Sequence, residues 1–276
     1  MKTDLIDKLL ADKKVLVLGH RGSRKADDPE NTLAAFERAF DVKADGIEID
    51  VETSLDGKLV VVNRWFLNAE FSLFPWQGTL TEIQRLGLTK GIAIPTFDDA
   101  CRLIKKRPQA VFNVEIKSSN TLLCRTAKAA MKVIKHHGID DQVIVSSFDI
   151  NTLLSTRLFH PTMETAYLFR QDDRVLNVED KKRFSYKLNT LVNRSGIKGF
   201  LVGVDTLHPE IKLFPETGER LWLKAARLLG KRVNAWTVDS EENFEKALRA
   251  GVAVVISDRP EEVLGVLGEA GIMLNV

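Results

Sequence analysis

Three acidic residues at strand spacing are the part of this 276-residue chain whose types and positions could do chemistry. In Gly46-Ile47-Glu48-Ile49-Asp50-Val51, carboxylates alternate with aliphatic residues. A period-2 strand therefore turns Glu48 and Asp50 to one face and Ile47, Ile49 and Val51 to the other. The segment Phe112-Asn113-Val114-Glu115-Ile116-Lys117 repeats the pattern, with Asn113, Glu115 and Lys117 opposite Val114 and Ile116. Acids on a strand whose other face packs under helices sit where solvent is scarce, which is unfavourable unless a cation or a set of donors compensates. If Glu48, Asp50 and Glu115 converge, their repulsion is relieved by a shared hard divalent ion. Oxygen-only donors suit magnesium or calcium better than zinc. For the first segment taken alone, an edge strand with a solvated polar face is the competing reading.

Convergence requires strands held side by side with their ends aligned. Short β-rich runs recur at 15–20, 47–53 with a partner at 59–63, 110–117, 143–148, 165–169, 199–206, 233–238 and 252–257, each followed by a helical pattern. Such alternation implies α/β architecture around a parallel sheet. Eight β/α units, with 59–63 extending the second, close a TIM (β/α)8 barrel whose functional groups lie at the C-terminal strand ends; an open doubly wound sheet is the alternative. The length matches the roughly 250 residues typical of that barrel, so one domain spanning 1–276 is expected, with an N-terminal helix at 1–13. No Gly-x-Gly-x-x-Gly follows the first strand, which leaves dinucleotide binding without support.

Forty basic against thirty-eight acidic residues give a net charge of +2, too balanced to favour nucleic acid or an anionic membrane as the main partner. Cys101 and Cys124 fall in helix-like segments and read as reduced core residues. The N-terminal stretch resembles neither a signal peptide nor a membrane span, so no integral membrane segment and a cytoplasmic location are expected. Two segments break the rhythm. A charged stretch near 170–195 reads as a solvated surface excursion. In 64–78, Trp65, Phe66, Phe71, Phe74 and Trp76 crowd a connection that should be polar. Either this loop tucks its aromatics over a barrel end, or the segment 65–76 presents an apolar patch to a lipid, a second copy in a homodimer, or a hydrophobic substrate.

His20 and Arg21 close the first strand, and Pro29-Glu30-Asn31-Thr32 opens a helix through Phe40. With Ala44-Asp45-Gly46 through Val51, Asp56-Gly57, Asn113 through Lys117, Ser146-Ser147-Phe148, Ala235-Trp236-Thr237-Val238 and Ser257-Asp258-Arg259-Pro260, this ordered set resembles the glycerophosphodiester phosphodiesterase family along most of the chain. The resemblance implies a TIM barrel and a metal-dependent hydrolase acting on a small phosphodiester. Glu48, Asp50 and Glu115 are then metal ligands, His20 an acid/base residue, and Arg21 and Lys117 phosphate contacts that stabilise growing charge. It also turns Trp236 toward the substrate rather than into the core. Glu30 and Asn31 are expected to support the site from behind, although Asn31 could equally cap the following helix.

The pattern departs from the family after the strand at 59–62, where the aromatic segment 64–78 also replaces the family's usual polar, glycine-bearing stretch. Where family members carry a second histidine followed by aspartate, after the strand ending Val60-Val61-Val62, this chain has Asn63 and Arg64. Asparagine can hydrogen-bond a phosphate or an alcohol but cannot exchange a proton. Three accounts stay open: a phosphodiesterase whose substrate needs less help with its leaving group, or which recruits another residue, with His208 as the candidate placed after the sixth barrel strand; one acting on a related lysophospholipid or sugar phosphodiester; or a non-catalytic phosphate-ligand binder or regulator that keeps the fold and the acidic cage while losing turnover.

Overall fold

The computed structural model describes residues 4–24, 29–117, 123–171, 192, 194–216 and 219–269. Alternating apolar residues make the strands, and their register makes the barrel. β1 (Leu16–His20) pairs in parallel with both β2 (Gly46–Thr53) and β9 (Val254–Ser257), which closes the sheet. Between them run β4 (Val111–Ile116), β5 (Val143–Ser147), β6 (Glu164–Phe169), β7 (Thr206–Pro209) and β8 (Arg232–Trp236), all parallel. Eight parallel strands thus form a TIM barrel, and the short β3 (Leu59–Val61) pairs antiparallel with the end of β2. Close strand approach explains Gly46, where an added Cβ would stand 2.0 Å from the Val111 carbonyl oxygen.

Side chains divide as period 2 requires. Ile47, Ile49 and Val51 face outward with Val114 and Ile116 into a core shared with Phe36, Phe97 and Phe112. Leu16, Leu18, Val111, Ile144, Ala166, Val254 and Ile256 fill the barrel interior. The N-terminal helix Asp4–Asp12 belongs with this inner core: Ile6 joins the interior cluster, and Asp7 pairs at 2.6 Å with Arg232 of β8. Arg232 also pairs with the fully buried Glu164, which accepts a hydrogen bond from Thr206 at 2.9 Å. No helix among the described residues is long and apolar enough to cross a membrane.

Three expectations change. A strand was expected over 199–206, but Ile197–Leu201 is a helix, Gly203 turns the chain at φ 67°, and the strand begins at Thr206. His208 consequently lies within β7, fully buried, rather than on the rim after it. The aromatic connection is a helix, Arg64–Phe71, with a single 3₁₀ turn at Pro75–Gln77. Phe66, Phe71 and Leu73 pack on a satellite core of Val60, Val62, Leu67, Ile83, Ile92 and Ile94, while Trp65 and Trp76 remain 65% and 47% exposed. The expected surface excursion falls largely on 172–191 and 193, outside the described residues.

His208 accounts for a pH dependence. Burial, with repulsion from Arg232, pushes its imidazole down from 6.5 to about 3. Between those values the unfolded chain binds a proton that the folded protein refuses, so this contribution to stability is complete above pH 6.5 and is lost as pH falls. We expect His208→Gln to remove that slope, worth up to about 1.4 kcal/mol per pH unit. Denaturant unfolding between pH 4.5 and 7.5 checks it; parallel stability curves for the two proteins would be the contrary result.

Candidate active site

In-register pairing places the reactive groups. His20 lies beside Glu48 across β1 and β2, Glu48 beside Asn113 and Asp50 beside Glu115 across β2 and β4. One carboxylate oxygen from each of Glu48, Asp50 and Glu115 lies within 4.8 Å of the others, and all three residues are buried. The loop after β1 then folds back over this cluster. Arg21 and Asn31 both adopt left-handed backbone, φ 58° and 57°, which is unusual for residues other than glycine and is stabilised here by what each one touches. The Arg21 N–H donates to Glu48 Oε2 at 3.0 Å, its carbonyl accepts from the Asn31 N–H at 3.0 Å, and its Nη1 donates to Glu30 at 2.7 Å. Asn31 grips Asp50 twice, donating to Oδ2 at 3.1 Å and accepting from the Asp50 N–H at 3.0 Å. The helix cap is Thr32 instead, whose hydroxyl accepts from the Ala35 N–H. Gly22, at φ 93°, lets the turn pass where a Cβ would meet the Ala35 backbone at 2.6 Å.

Asp50 is the most heavily compensated group. Arg21 Nε stands 2.9 Å from Oδ2, Lys117 Nζ 2.6 Å from Oδ1, and Asn63 Nδ2 donates to Oδ2 at 2.8 Å. Burial pushes this carboxyl up, but Arg21, Lys117 and the Asn63 hydrogen bond outweigh it and hold Asp50 below the ordinary carboxylate range. Glu48 moves the other way: burial and then repulsion from Asp50 and Glu115 raise it well above that range. Glu115 is also raised, by burial, with Lys117 at 2.5 Å opposing the shift and Asp50 reinforcing it. Burial disfavours the charged forms of Arg21 and Lys117, yet the surrounding acids raise both above their usual values, so both stay cationic. Lys117 Nζ thus bridges Asp50 Oδ1 and Glu115. A buried, oxygen-only set of three carboxylates with atoms within 4.8 Å of one another fits a hard divalent cation.

His20 is held at its other edge. Its Nδ1 lies 2.6 Å from Asp258 Oδ1, so with that nitrogen donating, Nε2 faces the cluster, 3.8 Å from Glu48 Oε2. Asp258 also takes Arg24 Nη1 at 3.0 Å, and its own N–H donates to Asp239 at 2.7 Å. Burial raises the Asp258 carboxyl, but the His20 hydrogen bond, His20 and Arg24 lower it further. Asp258 lies in the Ser257-Asp258-Arg259-Pro260 motif, but at 238 residues from His20 nothing local in the sequence signals this contact.

A cavity of about 470 Å³ opens above these groups. His20, Arg21, Glu48, Glu115 and Lys117 line one side, and Phe148, Arg170 and Trp236 line another. Trp236 is thus a cavity wall, its Nε1 donating to the His208 carbonyl at 2.8 Å. His208 does not reach the cavity; its Nε2 meets Asn234 at 2.9 Å, so the recruited-histidine account is set aside. Asn63 lines the cavity, but Oδ1 caps the helix Arg64–Phe71 through the Trp65 and Phe66 N–H groups while Nδ2 serves Asp50. Arg64 is drawn to Glu52, whose carboxyl burial pushes up to about 7 against the pull of Arg64. Arg170 and Phe148 were not singled out from sequence as site residues.

Residues 20–262 match the model of the glycerophosphoryl diester phosphodiesterase family. A glycerophosphodiester phosphodiesterase from Caldanaerobacter subterraneus is 30% identical over 268 residues, covering 94% of this chain and all of the relative. Among solved structures, a glycerophosphodiester phosphodiesterase from Parabacteroides distasonis superposes with a TM-score of 0.73 at 23% identity, covering 94% of this chain and 99% of that one. An Oleispira antarctica phosphodiesterase, solved with its product sn-glycerol-3-phosphate, gives 0.72 at 23% identity, covering 92% and 96%.

The Asp258 contact yields a test. Asp258→Asn keeps the shape but exchanges the carboxylate that orients His20, so we expect a loss in kcat of about 10²-fold or more with Tm nearly unchanged. Wild-type rates would show that Asp258 only packs against His20.

Proposed function

The chain belongs to the glycerophosphoryl diester phosphodiesterase family, and from that premise we propose that it hydrolyses a glycerophosphodiester to glycerol 3-phosphate and an alcohol with His20 as its proton carrier. One observation carries this reading: a histidine pinned by Asp258 aims Nε2 into a cavity shared by three buried carboxylates and the cations Arg21 and Lys117. Hydrolysis consumes one water, forming a P–O bond as the bond to the alcohol breaks. One proton must leave the water and one must reach the departing alkoxide. Attacking and leaving oxygens lie roughly in line on opposite sides of phosphorus, so His20 Nε2 is assigned the first transfer and the departing alkoxide takes its proton from solvent. Arg21 and Lys117 stabilise the charge that gathers on the phosphoryl oxygens. Glu48, Asp50 and Glu115 would hold a divalent cation, magnesium or calcium, which when bound polarises a non-bridging phosphate oxygen.

Asn63 supplies no proton, because its amide is committed to Asp50 and to a helix cap. A single imidazole then governs the chemistry, and substrates with better leaving groups are favoured. The exposed Trp65 on the cavity lip and Trp76 nearby support including lysophospholipids among candidate substrates.

The test is product release from glycerophosphocholine, glycerophosphoglycerol and a lysophospholipid with Mg²⁺ or Ca²⁺, followed by ³¹P NMR, and repeated with EDTA. We expect glycerol 3-phosphate or a lysophosphatidate to form, EDTA to stop it, and His20→Ala to lower the rate by at least about 10²-fold while the protein stays folded. A folded His20→Ala protein with wild-type turnover would defeat the proposed mechanism.

A further inference from the structure

The hydrolysis described above gives no role to Arg170, which lines the same cavity. Arg170 directly follows β6, and the sheet order places β6 four strands from β1 in either direction, across the barrel from His20. Its backbone is fixed on both sides: the Gln171 N–H donates to Glu210 at 2.9 Å, and the Glu210 N–H donates to the Phe169 carbonyl at 2.9 Å. The guanidinium lies 5.4 Å from the centroid of Phe148, which meets Trp236 edge-on at 5.6 Å and 84°.

The other cations of the cavity are all engaged by carboxylates. Arg21 pairs with Glu30 and Asp50, Arg64 with Glu52, and Lys117 with Asp50 and Glu115. Arg170 has no carboxylate partner among the described residues, although its side chain lines the same space. The acid beside it in the lining, Asp149, is occupied in capping the helix Ile150–Phe159, accepting from the Asn151 and Thr152 N–H groups and the Thr152 hydroxyl. A partly enclosed guanidinium that no carboxylate of the described residues engages is a ready partner for an anion, which it can bind bidentately.

We propose that Arg170 is a specificity residue that receives a negative charge on the alcohol half of the phosphodiester, so that the preferred substrate class is glycerophosphodiesters whose alcohol carries a carboxylate or a second phosphate. The inference rests on the functional reading given above. With the scissile phosphate drawn to Arg21 and Lys117 on the β1–β2–β4 side, the substituent that extends away from it meets the wall of Phe148, Trp236 and Arg170. That wall disfavours the opposite charge twice over. An aromatic face is the usual seat of a quaternary ammonium, but here the guanidinium already lies over Phe148, and a cationic headgroup brought there meets a like charge.

The experiment compares deacylated cardiolipin, which bears a second phosphodiester, glycerophosphoserine, which bears a carboxylate, and glycerophosphocholine. For each, kcat/KM is measured with wild type, Arg170→Gln and Arg170→Lys, and dissociation constants are measured in the His20→Ala protein with and without Arg170→Gln. We expect wild type to favour the anionic substrates over glycerophosphocholine by about tenfold or more, Arg170→Gln to collapse that ratio, Arg170→Lys to keep part of it, and added salt to weaken it. The two arms with a carboxylate and a second phosphate decide which anion the pocket prefers. An unchanged ratio in Arg170→Gln, or an equal loss on all three substrates, would overturn the proposal, the latter because it places Arg170 on the scissile phosphate or in the fold. Absent turnover with an Arg170-dependent binding preference would defeat the functional reading and leave this assignment standing; turnover without any charge preference would do the reverse.

Discussion

Burying Asp50 is the constraint on which the rest of the site depends. A carboxylate fully enclosed at a barrel mouth, beside Glu48 and Glu115, is tolerable only when cations and donors surround it. Arg21, Lys117, Asn31 and Asn63 do so from four separate segments. The two cations that satisfy Asp50 also line the cavity above it. Removing any one of these partners leaves buried charge unpaired, so the site behaves as a coupled unit rather than a set of independent contacts.

The barrel supplies this arrangement through register. Parallel pairing aligns His20 with Glu48 and Asp50 with Glu115, and the outward Ile47, Ile49 and Val51 anchor the strand in a dry core that keeps the acids pointing in. Precision then comes from the first loop, whose left-handed Arg21 and Asn31 are held by Glu48, Glu30 and Asp50. Local backbone strain and buried charge support each other: the strained loop delivers the donors that the acids require.

Much of this was legible in sequence. Alternation within Gly46–Thr53 and Val111–Ile116 revealed the inward acids, and recurrent strand and helix patterns revealed the barrel. The misses have physical causes. Leu201-Val202-Gly203-Val204 reads as an apolar strand, yet tertiary packing makes it a helix end and a turn, so β7 starts later and His208 falls inside the barrel. Asn31 has the composition of a cap, but two hydrogen bonds to Asp50 claim its amide and Thr32 caps instead. Asp258 and Arg170 gain their meaning only from closure of the sheet, which brings β9 against β1 and sets β6 across from it; nothing in the adjacent sequence announces either.

The central claim is that Glu48, Asp50 and Glu115 form one cation site. Isothermal titration of Mg²⁺ and of Ca²⁺ into the wild-type protein and into Asp50→Asn and Glu115→Gln tests it directly, because binding is read without reference to turnover. The account predicts a single site in the wild type, weakened by about tenfold or more in each variant. Absence of binding to the folded wild type, or equal affinity in all three proteins, would contradict it.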